Sequence, residues 1–310
     1  MSENPHSAVI STAVIGAGGW GKNLIRVFSS LPRSHLKYVC DVKRERLDTV
    51  RALYQNVTVT DDFETVLQDD SVKAVIIATP ADTHYTFIKR SLETGRLHVF
   101  TEKPLTLSVE ESLELIDLAK ETGSTLMVGH LMLYHPAVNY LKELIRSGEL
   151  GEIYCIYTHR LNLGIIRKVE DAWWSLAPHD ISILNYLLDA VTEGISVQGQ
   201  SYIQPGVVDI VFATLNYPKN TIANIHVSWL DPHKMRKVTI VGSKKMAIFD
   251  DMKTVEKVRI YDKGIFPNRT DDRGQVVSYE EFFKIHSGDV LSPTIAMEEP
   301  LKLECEHFLD

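Results

Sequence analysis

The sequence predicts an α/β protein in two differently built halves, a doubly wound parallel sheet followed by an α+β half with a large, mostly antiparallel open sheet. Three observations predict it. The first 130 residues alternate short apolar runs with amphipathic stretches, and a G-x-G-x-x-G joins the first run to the first stretch. After residue 150, β-type runs follow one another with little helical period between them.

Residues 8–15 form the first strand candidate and 19–31 the first helix, with Leu24, Ile25, Val27, Phe28 and Leu31 on one stripe. Residues 36–41 give the next strand. Residues 73–79 contain Ala74-Val75-Ile76-Ile77-Ala78, apolar on both faces as a central parallel strand must be. Asp82 is placed to cap a helix reaching Gly95. Strands at 97–101 and 125–129 follow; the helix between them opens on Ser108, with Glu111 three residues on as a capping box, and stops at Gly123. A helix over 134–147, with Ala137, Val138, Leu141, Leu144 and Ile145 inward, leads out of this half.

In the second half, residues 152–162 read as a strand and 175–188 as a single helix. Strands are then expected at 195–203, 207–217, 221–230, 236–241, 246–249 and 255–261. The run over 221–230 alternates Ala223, Ile225, Val227 and Trp229 with Asn224, His226 and Ser228, so one face is apolar. A sheet with helices on one face leaves the other open, a natural surface for a homodimer or homotetramer. Residues 263–275 are polar and turn-rich and receive no element. Residues 300–310 look like the opening turns of a helix with Leu301, Cys305 and Phe308 inward; lacking a terminator, this C-terminal helical region is expected to be truncated. The expected domains are 1–130 and 131–310.

Composition narrows the function. Of 310 residues, 33 are Lys or Arg and 41 Asp or Glu, a net charge of −8, which disfavours a nucleic-acid partner. At 44% hydrophobic and 24% charged, the chain has the make-up of a globular protein. No run of eighteen apolar residues suggests a membrane span, and the start has no basic or apolar leader region. Cys40, Cys155 and Cys305 are widely spaced, suggesting neither a disulfide framework nor a zinc site. No metal is expected, and the expected location is cytoplasmic.

The glycine pattern is Gly16-Ala17-Gly18-Gly19-Trp20-Gly21. Gly16 suits the tight turn, Gly18 the approach of a pyrophosphate, and Gly21 the packing of helix on strand; this is the Rossmann dinucleotide fingerprint. Asp41 ends the next strand twenty residues after Gly21, where a carboxylate binds ribose hydroxyls and repels a 2′-phosphate. NAD is therefore expected over NADP, with Lys43 and Arg44 next door softening the preference. The plainer alternative is a glycine-rich turn with Asp41 as a helix cap.

Two clusters offer chemistry. Thr101-Glu102-Lys103-Pro104 lies at the carboxyl end of a parallel strand, the edge where open α/β sheets bind ligands. Trp173-Trp174-Ser175-Leu176-Ala177-Pro178-His179-Asp180 opens the later helix, placing His179 in a first turn whose dipole favours neutral imidazole. A lysine and a neutral histidine beside a nicotinamide suit alcohol oxidation: histidine takes the hydroxyl proton while lysine polarises the oxygen. The alternative for each is a surface lysine and a packed histidine.

With these residues the chain resembles the Gfo/Idh/MocA family of oxidoreductases over essentially its whole length: GAGGWG, Asp41, Ala78-Thr79-Pro80, His84, EKP at 102–104 and PHD at 178–180. The resemblance implies that Lys103 is the catalytic lysine and His179 the catalytic acid/base. It implies that Glu102, Thr79 and Pro80 border the nicotinamide ribose, and that His84 approaches the coenzyme with Gly16, Gly18, Gly19, Trp20, Gly21 and Asp41. Many members carry D-x-x-x-H before this histidine; here Ser175 stands in place of the aspartate, read either as a helix N-cap bonding the Ala177 N–H or as a substrate contact.

Alternation over 152–162 puts Thr158, Arg160 and Asn162 on one face, with Arg167 and Lys168 in the loop beyond. Arg160, Asn162 and Arg167 are candidate donors to a polyhydroxylated or phosphorylated ligand, or else solvated surface groups. Trp173 and Trp174 read as core before ligand platform. Residues 160–180 resemble the members acting on nucleotide-linked sugars, such as UDP-N-acetylglucosamine 3-dehydrogenases. This implies oxidation of a sugar hydroxyl, at C3 of a UDP-N-acetylhexosamine. The competing readings are an NAD-dependent glycoside-cleaving enzyme using transient oxidation and a non-catalytic dinucleotide-binding regulator.

Overall fold

The computed structural model describes residues 8–164, 166, 170–267 and 283–310. The chain divides into two units: one runs through Leu131 and takes back Glu299–Asp310, and the other is Met132–Glu298.

The first unit alternates strand and helix: β1 Ile10–Ile15, α1 Gly21–Ser30, β2 Ser34–Cys40, α2 Arg44–Leu53, β3 Thr58–Thr60, α3 Phe63–Leu67, β4 Ala74–Ile77, α4 His84–Leu92, β5 His98–Glu102, α5 Val109–Thr122 and β6 Leu126–Gly129. The strands pair in parallel in the order β3-β2-β1-β4-β5-β6, which is the Rossmann order, with its reversal between β1 and β4. Successive side chains of a buried strand point to opposite layers. Val14, Ile76 and Phe100 pack with Leu24, Ile25 and Phe28, while Ala13, Val75, Ile77 and Val99 pack with Ile88, Leu92 and Leu115. Ser108 caps α5 by accepting the Glu111 N–H at 3.3 Å, and Gly123 ends it at φ +68°.

In the second unit, α6 Pro136–Arg146 and α7 Ala172–Leu188 lie with β7 Ile153–Leu163, β8 Gly194–Gln200, β9 Ile210–Tyr217, β10 Thr221–Ser228, β11 Leu230–Gly242, β12 Met246–Asp250, β13 Val258–Pro267 and β14 Phe283–Leu291. The eight strands are ordered β14-β13-β12-β11-β7-β10-β9-β8, and only β7 and β10 pair in parallel. Ile156, Ala223, Ile225, Val227, Val238 and Ile240 face a core shared with Val138, Leu141, Ile183 and Leu184 of the two helices. On the opposite face, Tyr157, Phe212 and Ile222 are exposed.

Several expectations change. The last helix, α8 Pro300–Leu309, belongs to the first unit, where Leu301, Cys305 and Leu309 join the α1 core; the expected 131–310 domain therefore loses its final segment. Asp82 does not cap α4, because a short 3₁₀ turn, Ala81–Thr83, precedes that helix and Thr83 stands at its N-cap without a side-chain bond. The helix expected from 175 begins at Ala172, and its cap is Asp171, whose carboxylate accepts the Trp174 N–H at 2.9 Å. Ser175 is thus inside the helix, and His179 lies in its third turn, away from the positive end of the dipole. Helix α2, strand β3 and strand β14 had no clear periodic signal: α2 buries only Leu47 and Val50, and Ile285, Val290 and Leu291 of β14 are exposed. Residues 263–267, expected to be irregular, extend β13, and 268–275 lie outside the described residues.

Candidate active site

Sterics build the dinucleotide turn first. Gly16 follows β1 at φ +99°, and a Cβ there would lie 2.6 Å from the Ala78 carbonyl oxygen; one on Gly21 would lie 2.0 Å from the Gly16 carbonyl oxygen. Glycine alone fits both. Around Gly19 an added Cβ would meet nothing within 4 Å, and around Gly18 only the Arg46 guanidinium, at 3.5 Å. The outer glycines hold α1 close to β1 and β4, and the inner ones leave backbone open where α1 begins. An open backbone at a helix N-terminus, at the switch point of a parallel sheet, fits a dinucleotide pyrophosphate.

Asp41, just beyond β2, is buried, yet its carboxylate is well supplied with donors. Oδ2 accepts from the Ala17 N–H at 2.7 Å and from Arg46 Nη1 at 3.1 Å, and Oδ1 accepts from the Lys43 N–H at 2.8 Å. Burial opposes its charge, but these donors together hold the carboxyl below its ordinary range. Asp41 therefore fixes the glycine turn against the start of α2, and a carboxylate's roughly four acceptor positions leave room for a ribose hydroxyl. Arg46, rather than Lys43 or Arg44, supplies the cationic side chain here. No periodic signal in the sequence marks it, because α2 buries only Leu47 and Val50.

At the end of β5, Trp20 of the glycine turn donates its indole N–H to Glu102 Oε1, joining the fingerprint directly to the EKP turn. Burial pushes the Glu102 carboxyl up to about 7, against the opposing pull of Trp20 and of Lys103. His130, just after β6, is pushed down by burial and by the charge of Lys103. Lys103 is half-buried, and its bond to Pro104 is cis. The structure thus brings Trp20, Glu102, Lys103 and His130 together in one unit. Thr79 is half-buried and Pro80 exposed at the turn after β4.

His84 has a different place from the one expected. Only 1% exposed, its ring lies 3.0 Å from the Thr79 carbonyl oxygen through Nε2 and 2.8 Å from the Pro104 carbonyl oxygen through Nδ1. It clamps the turn after β4 to the turn after β5 and has almost no surface to offer a coenzyme.

In the second unit, Ser175 is buried and His179 half-buried, one helical turn apart and so on one face of α7. Arg160 is corrected as a substrate donor. It forms a two-point pair with Asp180 of α7, at 2.8 and 3.1 Å, with both side chains buried. Asp180 is therefore committed to Arg160. Asn162 accepts from Arg236 through Oδ1, and burial next to Arg160 pushes Arg236 down to about 10. Period-2 alternation placed Thr158 and Arg160 on one face correctly, but that is the face covered by helix. Arg167 and Lys168 lie outside the described residues. Trp173 packs against the core, whereas Trp174 is 36% exposed.

Among the residues that sequence reasoning missed is Glu304 of α8, completely buried. The signal was available: it lies three residues after Leu301 and four before Phe308, inside an apolar helical stripe.

Known proteins resemble the chain across both units. The sequence model of an oxidoreductase family with an NAD-binding Rossmann fold matches residues 10–130, and that of the GFO/IDH/MocA C-terminal domain matches residues 138–248. The scyllo-inositol 2-dehydrogenase (NAD(+)) of Bacillus subtilis (strain 168) is 31% identical over 239 residues, covering 72% of this chain and 68% of that protein. The 2,7-anhydro-N-acetylneuraminate hydratase of Escherichia coli (strain K12) is 26% identical over 268 residues, or 81% and 70%. Among solved structures, UDP-N-acetylglucosamine 3-dehydrogenase GnnA from Acidithiobacillus ferrooxidans superposes with a TM-score of 0.76 at 25% identity, covering 97% of this chain and 88% of that one.

Proposed function

Because the chain belongs to the Gfo/Idh/MocA family of NAD-binding oxidoreductases acting on CH–OH groups, we propose that it oxidises a ring hydroxyl of a nucleotide-linked sugar, at C3 of a UDP-N-acetylhexosamine. The observation that carries this reading is the joining of the glycine turn to the EKP turn through Trp20 and Glu102, with Lys103 next in sequence. The likeness to the UDP-N-acetylglucosamine 3-dehydrogenase supports the substrate class.

When bound, NAD supplies the hydride acceptor. Lys103 donates to the reacting hydroxyl oxygen and stabilises negative charge developing on it. His179 would take the hydroxyl proton and pass it to water, leaving the carbon–oxygen bond to become a ketone once the hydride is accepted. Ser175, one turn before His179, offers a hydroxyl where an aspartate would bring charge; it bonds substrate without stabilising imidazolium as strongly. Asp41 accepts from the adenosine ribose and favours NAD over NADP.

Purified protein, NAD and a panel of UDP- and dTDP-sugars with inositols test the reading through NADH absorbance. A rise specific to UDP-N-acetylhexosamines is expected; a rise with inositols alone overturns the sugar assignment. The relative named as a hydratase favours a second reading, in which substrate is transformed without net reduction of NAD. Product formation without NADH accumulation would establish that route.

The reading extends to assembly and location. The exposed Tyr157, Phe212 and Ile222 face would pair with a second copy of the chain, tested by light scattering on Phe212→Asp, which should give a monomer. Free Cys40, Cys155 and Cys305 suit the reducing cytoplasm.

A further inference from the structure

Trp20 stands in the glycine turn at the N-cap of α1. Its carbonyl accepts the Asn23 N–H at 2.8 Å, its side chain makes no cap bond to the helix, and 41% of its surface is exposed. The specific contact of the indole lies elsewhere: its N–H reaches across to Oε1 of Glu102, at the end of β5. The Glu102 carboxylate also accepts the backbone N–H of Lys103, so one group joins the Trp20 ring to the main chain of the lysine. Room for that carboxylate is built into β6. Glu102 pairs with Gly129, where an added Cβ would lie 3.4 Å from Glu102 Oε1 and 3.0 Å from Phe100 Cζ. On the far side of Lys103, the Pro104 carbonyl oxygen is 2.8 Å from His84 Nδ1. Lys103 is thus bracketed, its own N–H held by Glu102 and the carbonyl of the next residue held by His84.

The two brackets differ in what can act on them. The His84 ring is 1% exposed and its other nitrogen is 3.0 Å from the Thr79 carbonyl oxygen, so that side is a fixed clamp. The other side begins on Trp20, whose main chain stands at the helix start where Gly18 and Gly19 leave the backbone open to a pyrophosphate. Occupation of that anion site orders the residue from which the indole hangs, and an ordered indole fixes the carboxylate that holds the Lys103 N–H. We propose that Trp20 is a positioning residue for Lys103, acting through the Glu102 carboxylate, so that filling the pyrophosphate site sets the lysine that meets the reacting hydroxyl. This rests on the coenzyme and reaction reading above. Phenylalanine keeps an aromatic ring at position 20 and offers no N–H, so Trp20→Phe cuts the link at its first bond. A lysine misplaced by a fraction of an ångström loses rate before it loses coenzyme binding.

The test is hydrogen–deuterium exchange of the whole protein with and without saturating NAD+, read in peptides spanning residues 98–106 with α5 as the internal reference. In the unaltered protein NAD+ is expected to slow exchange of the Lys103 N–H; in Trp20→Phe most of that slowing is lost while α5 exchanges as before. Turnover of UDP-N-acetylglucosamine gives a second reading, in which Trp20→Phe should lower kcat about tenfold while KM for NAD+ changes by less than about threefold. NAD+ binding that leaves residues 98–106 unchanged in the unaltered protein overturns the inference alone, whether or not the variant folds. Equal slowing in the two proteins, or a raised KM with kcat unchanged, removes Trp20 as a positioning residue. If the unaltered protein does not turn over that sugar, the substrate reading fails and the exchange measurement alone decides the link. Absence of any NAD+ binding by the unaltered protein overturns the coenzyme reading and this inference with it.

Discussion

Two corners of the first sheet's carboxyl edge each carry a buried acid, and they behave in opposite ways. Beyond β2, Asp41 accepts two backbone N–H groups and a guanidinium, and is held ionised despite burial. Among the described residues, Glu102 at β5 accepts from the Trp20 indole and the Lys103 backbone N–H, without a cationic side chain bonded to it as Arg46 is to Asp41, and Glu304 has no hydrogen-bond partner; burial drives both toward the neutral form. Burial is common to both corners; the supply of donors differs. A carboxylate's charge is therefore set by the N–H groups that the fold aims at it, which makes the first corner a fixed anchor and the second a group that changes state near neutrality.

The comparison breaks most sharply at Lys103, which borders the second corner. Lys103→Ala should lower kcat by roughly 10²–10⁴ while NAD affinity changes only a few-fold, since the lysine is assigned to the reacting oxygen. His179→Ala should fall in the same range, and normal turnover in either variant removes that residue from the chemistry. Next in size is Arg160→Met, which leaves Asp180 buried without its partner and should cost about 3–5 kcal/mol in chemical unfolding. A loss under 1 kcal/mol would return Arg160 to the substrate candidates. At the first corner, Asp41→Ala should narrow the preference for NAD over NADP by about tenfold, with Arg46 then free to meet a 2′-phosphate. Unchanged relative affinities would take Asp41 off the ribose.

The two corners also differ in the sign of their pH dependence. Asp41 is lowered in the folded state, so its contribution to stability is present above the unfolded carboxyl range and is lost on acidification. Glu304 is raised from 4.5 to about 9, so the native state holds a proton that the unfolded chain has released; its contribution is intact below 4.5 and is lost as pH rises toward 9. The Tm difference between Glu304→Gln and the unaltered protein should therefore move in the variant's favour by several degrees from pH 5 to pH 9. The difference between Asp41→Asn and the unaltered protein should instead shrink below about pH 4. A Glu304→Gln difference independent of pH would mean that this carboxyl is ionised in the core.

The first unit was largely legible because its constraints are local. Gly16 and Gly21 face backbone at distances no side chain tolerates, and the apolar runs of β1, β4 and β5 are continuous because both faces are buried. Local grammar also found Ser108 and Gly123 as helix ends. It failed at α7, where Asp171 and Ser175 are both acceptable caps and only the fold selects the earlier one. It also failed at Arg160, since alternation assigns a side chain to a face without saying what covers that face.

By itself, then, the sequence determined the parallel sheet, the dinucleotide turn and the sheet-rich second half, all written in short-range periodicity and sterics. Tertiary structure alone decided which polar groups are paired and which are not: Asp180 with Arg160, His84 between two carbonyl groups, Glu304 buried with no hydrogen-bond partner among the described residues. The reason is physical. Desolvation and hydrogen-bond supply depend on neighbours distant along the chain, and no local pattern encodes them.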